Sequence, residues 1–338
     1  MFAVFGCLLL FLAAFSLPFA VSWNVKLAVV NRYRGRIAPS PTGLLHLGHA
    51  RTFWTAFTRA RDAAGTLVFR NEDLDPQRSK DEYARAMFED LTWLGIHWHE
   101  GPDVGGTFGP YLQSRRYELY LKTWRQLLER GFLYPCTCSR RELASIASAP
   151  HEDATPGLSQ PAGAPCLPGS GRHGIPRSEG RSELDQGPMY PGTCRSKLTR
   201  DLAQQYASPA GVNWRFRVPD GEVIAFDDGH FGPQRFTAGE DFGDFPVWRR
   251  DGVPAYQLAV VADDQAMRIT EVVRGADLLL STARQILLYR ALGFAPPAWY
   301  HCPLVVDEQG ERLAKRHDAL AIRTLREQGK TPEEVRGS

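Results

Sequence analysis

The chain has 338 residues, 40 of them Lys or Arg and 38 Asp or Glu, so its formal charge is +2 and nothing marks it as a general polyanion binder. Hydrophobic residues make up 43% and charged residues 23%, which excludes a disordered or collagen-like chain, and six cysteines are too few for a disulfide-stapled fold. At roughly 150 residues per domain, the length suggests two domains or one large α/β unit.

Residues 1–32 form an apolar leader. Phe2 to Val21 carries no charge and is long enough to span a bilayer. Three readings stand for it: a start-site extension, a membrane anchor, or an export signal, which would normally have a Lys or Arg before its apolar run. Any membrane contact is expected through residues 2–21 only.

From Tyr33 onward strands and helices alternate, which predicts an α/β fold with a parallel sheet wrapped by helices. Arg34 to Ala38 reads as a first strand, ended by Pro39 and Pro41. A helix follows from His46 or Leu47 to about Ala64. Thr66 to Arg70 is a second strand. Ser79-Lys80-Asp81-Glu82 reads as a capping box, opening a helix with Tyr83, Met87, Phe88, Leu91 and Leu94 on one stripe. Ser114 is expected to cap a third, with Tyr117, Tyr120, Leu121, Trp124, Leu127 and Leu128 at helical spacing. Residues 139–189 break the pattern. After a short helical start at 140–146 they are Pro/Gly/Ser-rich without hydrophobic period, the mark of a flexible insertion. Asn213 to Val218 and Val223 to Phe226 alternate like a hairpin turned at Pro219-Asp220-Gly221. Asp251-Gly252 is a further turn. Ser281 is expected to cap a helix to Leu292, stopped by Gly293. His301 to Val306 reads as a late strand, followed by a polar loop at 307–310. Residues 321–335 read as one helix, then Gly329, then the start of another.

Three segments carry chemistry. In "RIAPSPTGLLHLGHAR", Arg36 to Arg51, a strand ends in a Pro-rigid turn, and Gly48 and two histidines sit at a helix start. Free N–H groups and the positive dipole end there suit a triphosphate, and His46 and His49 can donate to phosphate oxygens. By spacing alone they are equally a metal pair or surface residues. "FRNEDLDPQRSK", Phe69 to Lys80, delivers Glu72, Asp73 and Asp75 to a strand's carboxyl end, where carboxylates can hold an ammonium group; Asp75 reads better as a turn residue. "ERLAKRHD", Glu311 to Asp318, is a basic loop in which Lys315 can reach a phosphate, or a solvated surface. A fourth pattern is Cys136-x-Cys138 with Tyr190-x3-Cys194. It fits a tetrahedral structural Zn²⁺ with an unusual Tyr ligand, or else two buried free thiols. Cys166, His151 and His173 lie between its halves, and Cys7 and Cys302 read as packing residues.

In this order the first three segments resemble the class I aminoacyl-tRNA synthetases, "HLGH" matching the HIGH signature and "RLAKR" the KMSKS signature. "RIAPSPTG", "RNEDLDP", "YQLAVVADD" and "VVRGADLLLSTARQ" look like the glutamate-specific branch. Within it the chain is most similar to the short glutamyl-Q tRNA(Asp) synthetases, paralogues of glutamyl-tRNA synthetase. The resemblance implies a Rossmann-like catalytic domain with a small zinc-binding insertion subdomain. Its halves would be residues 33–134 and 201–316, the latter with the KMSKS-like loop. Residues 135–200 would be the zinc subdomain, and 317–338 a shortened C-terminal helical segment.

The implied reaction activates L-glutamate with ATP, without tRNA, and transfers the glutamyl group to queuosine in the anticodon of tRNA(Asp). Arg36, Ala38, Ser40, Glu72, Tyr256 and Arg274 would line the glutamate pocket. Pro39, His46, Gly48, His49 and Lys315 would bind ATP, accompanied by Mg²⁺, with His46, His49 and Lys315 assisting the chemistry. Cys136, Cys138, Tyr190 and Cys194 would hold one zinc. The physics agrees: a dicarboxylate needs arginines, and its ammonium needs a carboxylate such as Glu72. The bland alternative for Arg274 is an ion pair with Asp277 or Glu271. Only 23 residues follow Lys315, too few for an anticodon-binding domain, which favours the short branch. Arg32, Arg34, Arg59, Arg61, Arg115 and Arg116 are candidates for an RNA-facing patch. A cytoplasmic monomer that does not bind DNA is expected. The competing readings are a truncated glutamyl-tRNA synthetase charging 3′ ends and an inactive tRNA-binding paralogue.

Overall fold

A computed structural model describes residues 32–138, 189–197, 201–305 and 321–337, with the side chains at 203 and 204 excepted. Residues 1–31 of the leader, nearly all of the 139–189 insertion, the loop at 307–310 and Lys315 lie outside these residues. So do Cys7, His151, Cys166 and His173.

The strands are β1 (Arg34–Ile37), β2 (Thr66–Phe69), β3 (Leu133–Cys136), β4 (Asn213–Phe216), β5 (Val223–Asp228), β6 (Gly232–Thr237), β7 (Phe245–Trp248), β8 (Glu271–Gly275) and β9 (Ala298–Cys302). The helices are α1 (Leu47–Asp62), α2 (Asp81–Trp93), α3 (Tyr117–Glu129), α4 (Leu202–Gln205), α5 (Tyr256–Ala266), α6 (Leu279–Leu292), α7 (Ile322–Glu327) and α8 (Pro332–Gly337).

Two βαβ units build the parallel part of the fold. In the first, β1 pairs in parallel with β2 across α1; in the second, β8 pairs in parallel with β9 across α6. The units meet where the Thr270 N–H donates to Arg34 O at 2.9 Å. β9 continues through β5 to β6, in the order β6-β5-β9-β8. Helix α1 buries Leu47, Ala50, Phe53, Ala56 and Ala60, a stripe at helical spacing. A separate antiparallel sheet, β3-β4-β7, packs against α3, with Trp124 edge-on to Trp214 at 5.1 Å. Both rings are fully buried, each contributing on the order of 3 kcal/mol of apolar burial. The carboxyl ends of β1, β2, β8 and β9 lead into Ala38, Arg70, Ala276 and Pro303, the edge at which open α/β sheets bind ligands.

Several expectations are corrected. The proposed hairpin partners lie in different sheets: β4 pairs with β3 and β7, whereas β5 pairs with β6. The Pro219-Asp220-Gly221 turn exists, with the Glu222 N–H donating to Pro219 O at 3.0 Å, but it carries the chain between sheets. None of the three serines caps a helix. Lys80 precedes α2, and the Ser79 hydroxyl is buried without a hydrogen-bond partner. Ser114 lies in a 3-10 turn before α3, its hydroxyl donating to Asp73 at 2.7 Å. Ser281 is inside α6 and accepts from Gln257 at 2.9 Å. The late strand begins at Ala298, three residues early, because its pairing with β8 starts at Glu271. Tyr117 is exposed, while Tyr120, Trp124, Leu127 and Leu128 are core. Gly293 and Gly329 stop their helices in the left-handed region as expected.

Candidate functional site

The Pro-rich turn after β1 is clamped to the segment after β2. Arg70 N–H donates to Ile37 O at 2.9 Å, Glu72 N–H to Pro39 O at 3.0 Å, and Lys80 N–H to Pro41 O at 2.9 Å. Glu72 is thereby held beside Ala38, Pro39 and Ser40. A cleft of about 800 Å³ joins Ser40, Glu72 and Tyr256 to Tyr190, Arg215, Arg249 and Arg284. Arg36 and Arg274 are buried next to Tyr256.

Charge balance beneath the cleft depends on residues that sequence reasoning missed. Arg70, fully buried, donates to Asp264 at 2.6 Å and to Glu72 Oε1 at 2.9 Å. Asp264 also lies 3.6 Å from Arg36 Nε, while Arg36 Nη1 donates to Val273 O at 2.9 Å. Burial pushes the Glu72 carboxyl up and the Arg36 guanidinium down, each opposed by its ionic partners. Asp263 accepts from Arg116 Nε at 2.6 Å, Gln113 at 2.7 Å and Tyr120 at 2.9 Å. The available signal was the Asp263-Asp264 pair on the otherwise apolar helix α5, since buried charge on such a helix needs partners. Arg274 does not pair with Glu271, which Arg59 engages at 2.6 Å. Its partners are His301, Gln285 and Thr282, with Tyr256 at 3.5 Å.

His46 is the N-cap of α1. Its Nδ1 accepts the Gly48 N–H at 3.1 Å, and its own N–H donates to His49 Nδ1 at 3.2 Å. Both neutral rings therefore carry their proton on Nε2. A Cβ on Gly48 would stand 3.0 Å from the His46 ring, so a larger residue here would push that ring by a few tenths of an ångström. Ala321 forms a bridge with His46, so the chain re-enters the described region beside the helix start.

Cys136 ends β3, and Cys138, Tyr190 and Cys194 converge on it. The three Sγ atoms lie within 4.8 Å of one another. Cys138 and Cys194 are 3.6 Å apart; Tyr190 Oη is 3.5 Å from Cys136 and 3.8 Å from Cys138. A tetrahedral zinc with Zn–S bonds of about 2.3 Å requires S···S of about 3.8 Å and S···O of about 3.5 Å. These three separations match that geometry, and the remaining sulfur pairs lie within 4.8 Å. Burial raises the Cys194 thiol, but hydrogen bonding from Tyr190, the Thr137 N–H and the two neighbouring thiols outweighs it, bringing the thiol down to about 6. Arg215 donates to Cys136 Sγ at 3.3 Å, stacks on Tyr190 at 3.8 Å, and donates through Nη1 to Asp244 O at 3.0 Å.

Four of the six candidates for an RNA-facing patch are engaged by carboxylates. Arg34 pairs with Glu100, Arg59 with Glu271, Arg61 with Asp62, and Arg116 is buried on Asp263. Among the described residues no helix is long and apolar enough to cross a membrane.

Residues 32–162 and 176–337 match the family described as tRNA synthetases class I (E and Q), catalytic domain. Two proteins named glutamyl-Q tRNA(Asp) synthetase are each 48% identical. For that of Nitratidesulfovibrio vulgaris the alignment covers 88% of this chain and 82% of the relative; for that of Symbiobacterium thermophilum, 90% and 84%. Glutamate–tRNA ligase 2 of Nitrosococcus oceani is 40% identical, over 88% of this chain and 56% of the relative. Among solved structures, a glutamate–tRNA synthetase from Elizabethkingia anophelis superposes with a TM-score of 0.65 at 27% identity, over 84% of this chain and 53% of that chain. With the ordered motifs and the two parallel βαβ units, these matches place the chain among the class I tRNA synthetases of the E and Q type, as a ligase of the aminoacyl-tRNA synthetase kind.

Proposed function

We propose that the protein activates L-glutamate with ATP and transfers the glutamyl group to queuosine in tRNA(Asp). The observation that carries this reading is the higher identity, across most of both chains, to the two glutamyl-Q tRNA(Asp) synthetases than to the glutamate–tRNA ligase. The cleft chemistry supports it. Arg36 and Arg274 offer guanidinium groups to substrate carboxylates. Arg70 occupies Glu72 Oε1, leaving Oε2 to accept a substrate ammonium. Ala38, Ser40 and Tyr256 complete the pocket wall.

Activation needs no protein nucleophile. The substrate carboxylate attacks the α-phosphate, pyrophosphate leaves, and the protein orients the two groups and stabilises the developing charge. Pro39, Gly48 and the Nε2–H groups of His46 and His49 would meet the triphosphate. Lys315 would follow the leaving pyrophosphate; Ala321, where the described chain resumes, lies beside His46. Cys136, Cys138, Tyr190 and Cys194 would hold a zinc ion that clips the chain structurally. The test is glutamate-dependent ATP–pyrophosphate exchange, followed by glutamylation of tRNA(Asp) with and without queuosine. Exchange without tRNA and transfer only to queuosine-containing tRNA are expected. Exchange only with added tRNA(Glu) would favour 3′-end charging, and tRNA binding without exchange an inactive paralogue.

A further inference from the structure

Arg274 is a buried cation held entirely by neutral acceptors among the described residues. Its Nε donates to His301 Nε2 at 3.1 Å, Nη1 to Gln285 Oε1 at 2.9 Å, and Nη2 to Thr282 Oγ1 at 2.6 Å, while the Tyr256 hydroxyl stands 3.5 Å from Nη1. A buried guanidinium ordinarily sits against a carboxylate, because desolvating an unpaired charge costs several kcal/mol. Here the nearest carboxylate in the chain of contacts is one residue removed. His301 Nδ1 lies 2.6 Å from Asp228 Oδ2, and both side chains are fully buried.

The bonding at both ends fixes the imidazole tautomer. Asp228 also accepts the backbone N–H groups of His230 at 3.0 Å, Phe231 at 2.9 Å and His301 at 3.1 Å. Those donors and His301 outweigh burial and hold its carboxyl below the ordinary range, so it accepts and cannot donate. Nδ1 therefore carries the proton. At the other end, a guanidinium has no acceptor, so Nε2 must present its lone pair to Arg274. Burial pushes the His301 ring down to about 4, which keeps it neutral. The Thr282 hydroxyl, 3.1 Å from Nε2, closes the ring of contacts.

We propose that Asp228 and His301 form a relay that positions Arg274 for a substrate carboxylate without neutralising it. His301 is thus a positioning residue, one that sequence reasoning placed only on a strand. A carboxylate touching Arg274 directly would orient it equally well, but would form an ion pair and spend the charge inside the protein. An imidazole lone pair orients Nε and leaves the full charge for an anionic ligand. The amide ladder behind it acts the same way: Gln285 Nε2 donates to Gln257 Oε1 at 2.9 Å, and Gln257 Nε2 to Ser281 Oγ at 2.9 Å. Polarity is propagated through this ladder with no net charge. The role of the relay in substrate binding rests on the glutamate reading above; its tautomer does not.

The experiment compares His301→Leu and His301→Gln with the wild-type chain in glutamate-dependent pyrophosphate exchange. Loss of a charge-assisted hydrogen bond to Arg274 should raise the KM for glutamate about tenfold or more, with the KM for ATP unchanged. His301→Gln, which restores an acceptor near the Nε2 position, should recover most of that loss. A folded His301→Leu protein with wild-type KM for glutamate overturns the relay while leaving glutamate activation standing. Absence of exchange in the wild-type chain overturns the glutamate reading itself, and with it the relay as a substrate device. The ¹⁵N spectrum of His301 at pH 7 reads the tautomer without turnover. Protonated Nδ1 and bare Nε2 are expected; the opposite tautomer or an imidazolium overturns the proposal.

Discussion

Asp263→Asn removes one negative charge from a fully buried site. In the native protein the two carboxylate oxygens receive Arg116 Nε at 2.6 Å, Gln113 Nε2 at 2.7 Å and the Tyr120 hydroxyl at 2.9 Å, with Arg70 Nε at 3.7 Å. The asparagine keeps one acceptor oxygen and turns an NH₂ group against donors. Whichever way the amide turns, Arg116 loses its carboxylate counter-charge and keeps the neutral Phe108 and Pro110 carbonyls. Removing one member of a buried pair costs about 3–5 kcal/mol. Tyr120→Phe is the control: it deletes one neutral donor and leaves the charges paired, at a cost of about 1 kcal/mol. Urea unfolding at pH 7 reads both, and the m value should stay fixed. A loss below about 1 kcal/mol for Asp263→Asn, or equal losses for the two variants, would refute the view that charge pairing at Asp263 holds this region together.

Other expectations are as direct. Asp90 is buried in α2 with neither carboxylate oxygen hydrogen-bonded, and burial pushes it up to about 6. Its folded value exceeds the ordinary 3.8, so the charged form penalises the native state above pH 6 and the penalty fades as pH falls toward 4. Asp90→Asn should therefore stabilise the protein by about 1–3 kcal/mol at pH 8 and by almost nothing below pH 4, checked by denaturation at both pH values. Gly48→Ala should raise or preserve the melting temperature, since alanine is favoured over glycine in a helix by about 1 kcal/mol. It should nevertheless slow pyrophosphate exchange about tenfold or more by displacing the His46 ring; an unaltered rate would remove His46 from the chemistry. Cys194→Ser should lower bound zinc from one equivalent toward none by metal analysis, and unchanged stoichiometry would exclude the Tyr190/Cys194 half of the site.

Local pattern revealed faces better than partners. The alternation in β4 and β5 correctly identified two strands, but period-two burial says only which side of a sheet each residue meets. It could not say that β5 pairs with β6, whose "GPQRFT" has no apolar period. Ser79, Ser114 and Ser281 were credible caps by position. Asp73 and Gln257, distant in sequence, claimed two of those hydroxyls, and a propensity read from neighbours cannot anticipate such partners. The site divides similarly. Arg36, Tyr256 and Arg274 rest on the family resemblance, Glu72 also on its place at a strand's carboxyl end, and Arg36, Glu72 and Tyr256 lie beside the Arg70–Asp264 pair, which the sequence pattern does not reveal. In the sequence Arg70 reads as the last residue of a strand and Asp264 as part of a motif. Their pairing spans 194 positions, and only the assembled sheet and helix reveal it.

Arg215 touches the thiol cluster with one nitrogen and the backbone of Asp244 with another, and it lies in the wall of the cleft. One rigid planar group is thus shared by two sites. A change in the thiol cluster that moves Arg215 would alter the geometry offered to a ligand in the cleft, and linkage would make any such effect on binding run equally in reverse. Equilibrium dialysis tests it: a ligand held in the cleft should change the affinity of the thiol cluster for Zn²⁺, and Zn²⁺ should change the affinity for that ligand by the same factor. On this view a metal bound at the thiol cluster would also report on cleft occupancy.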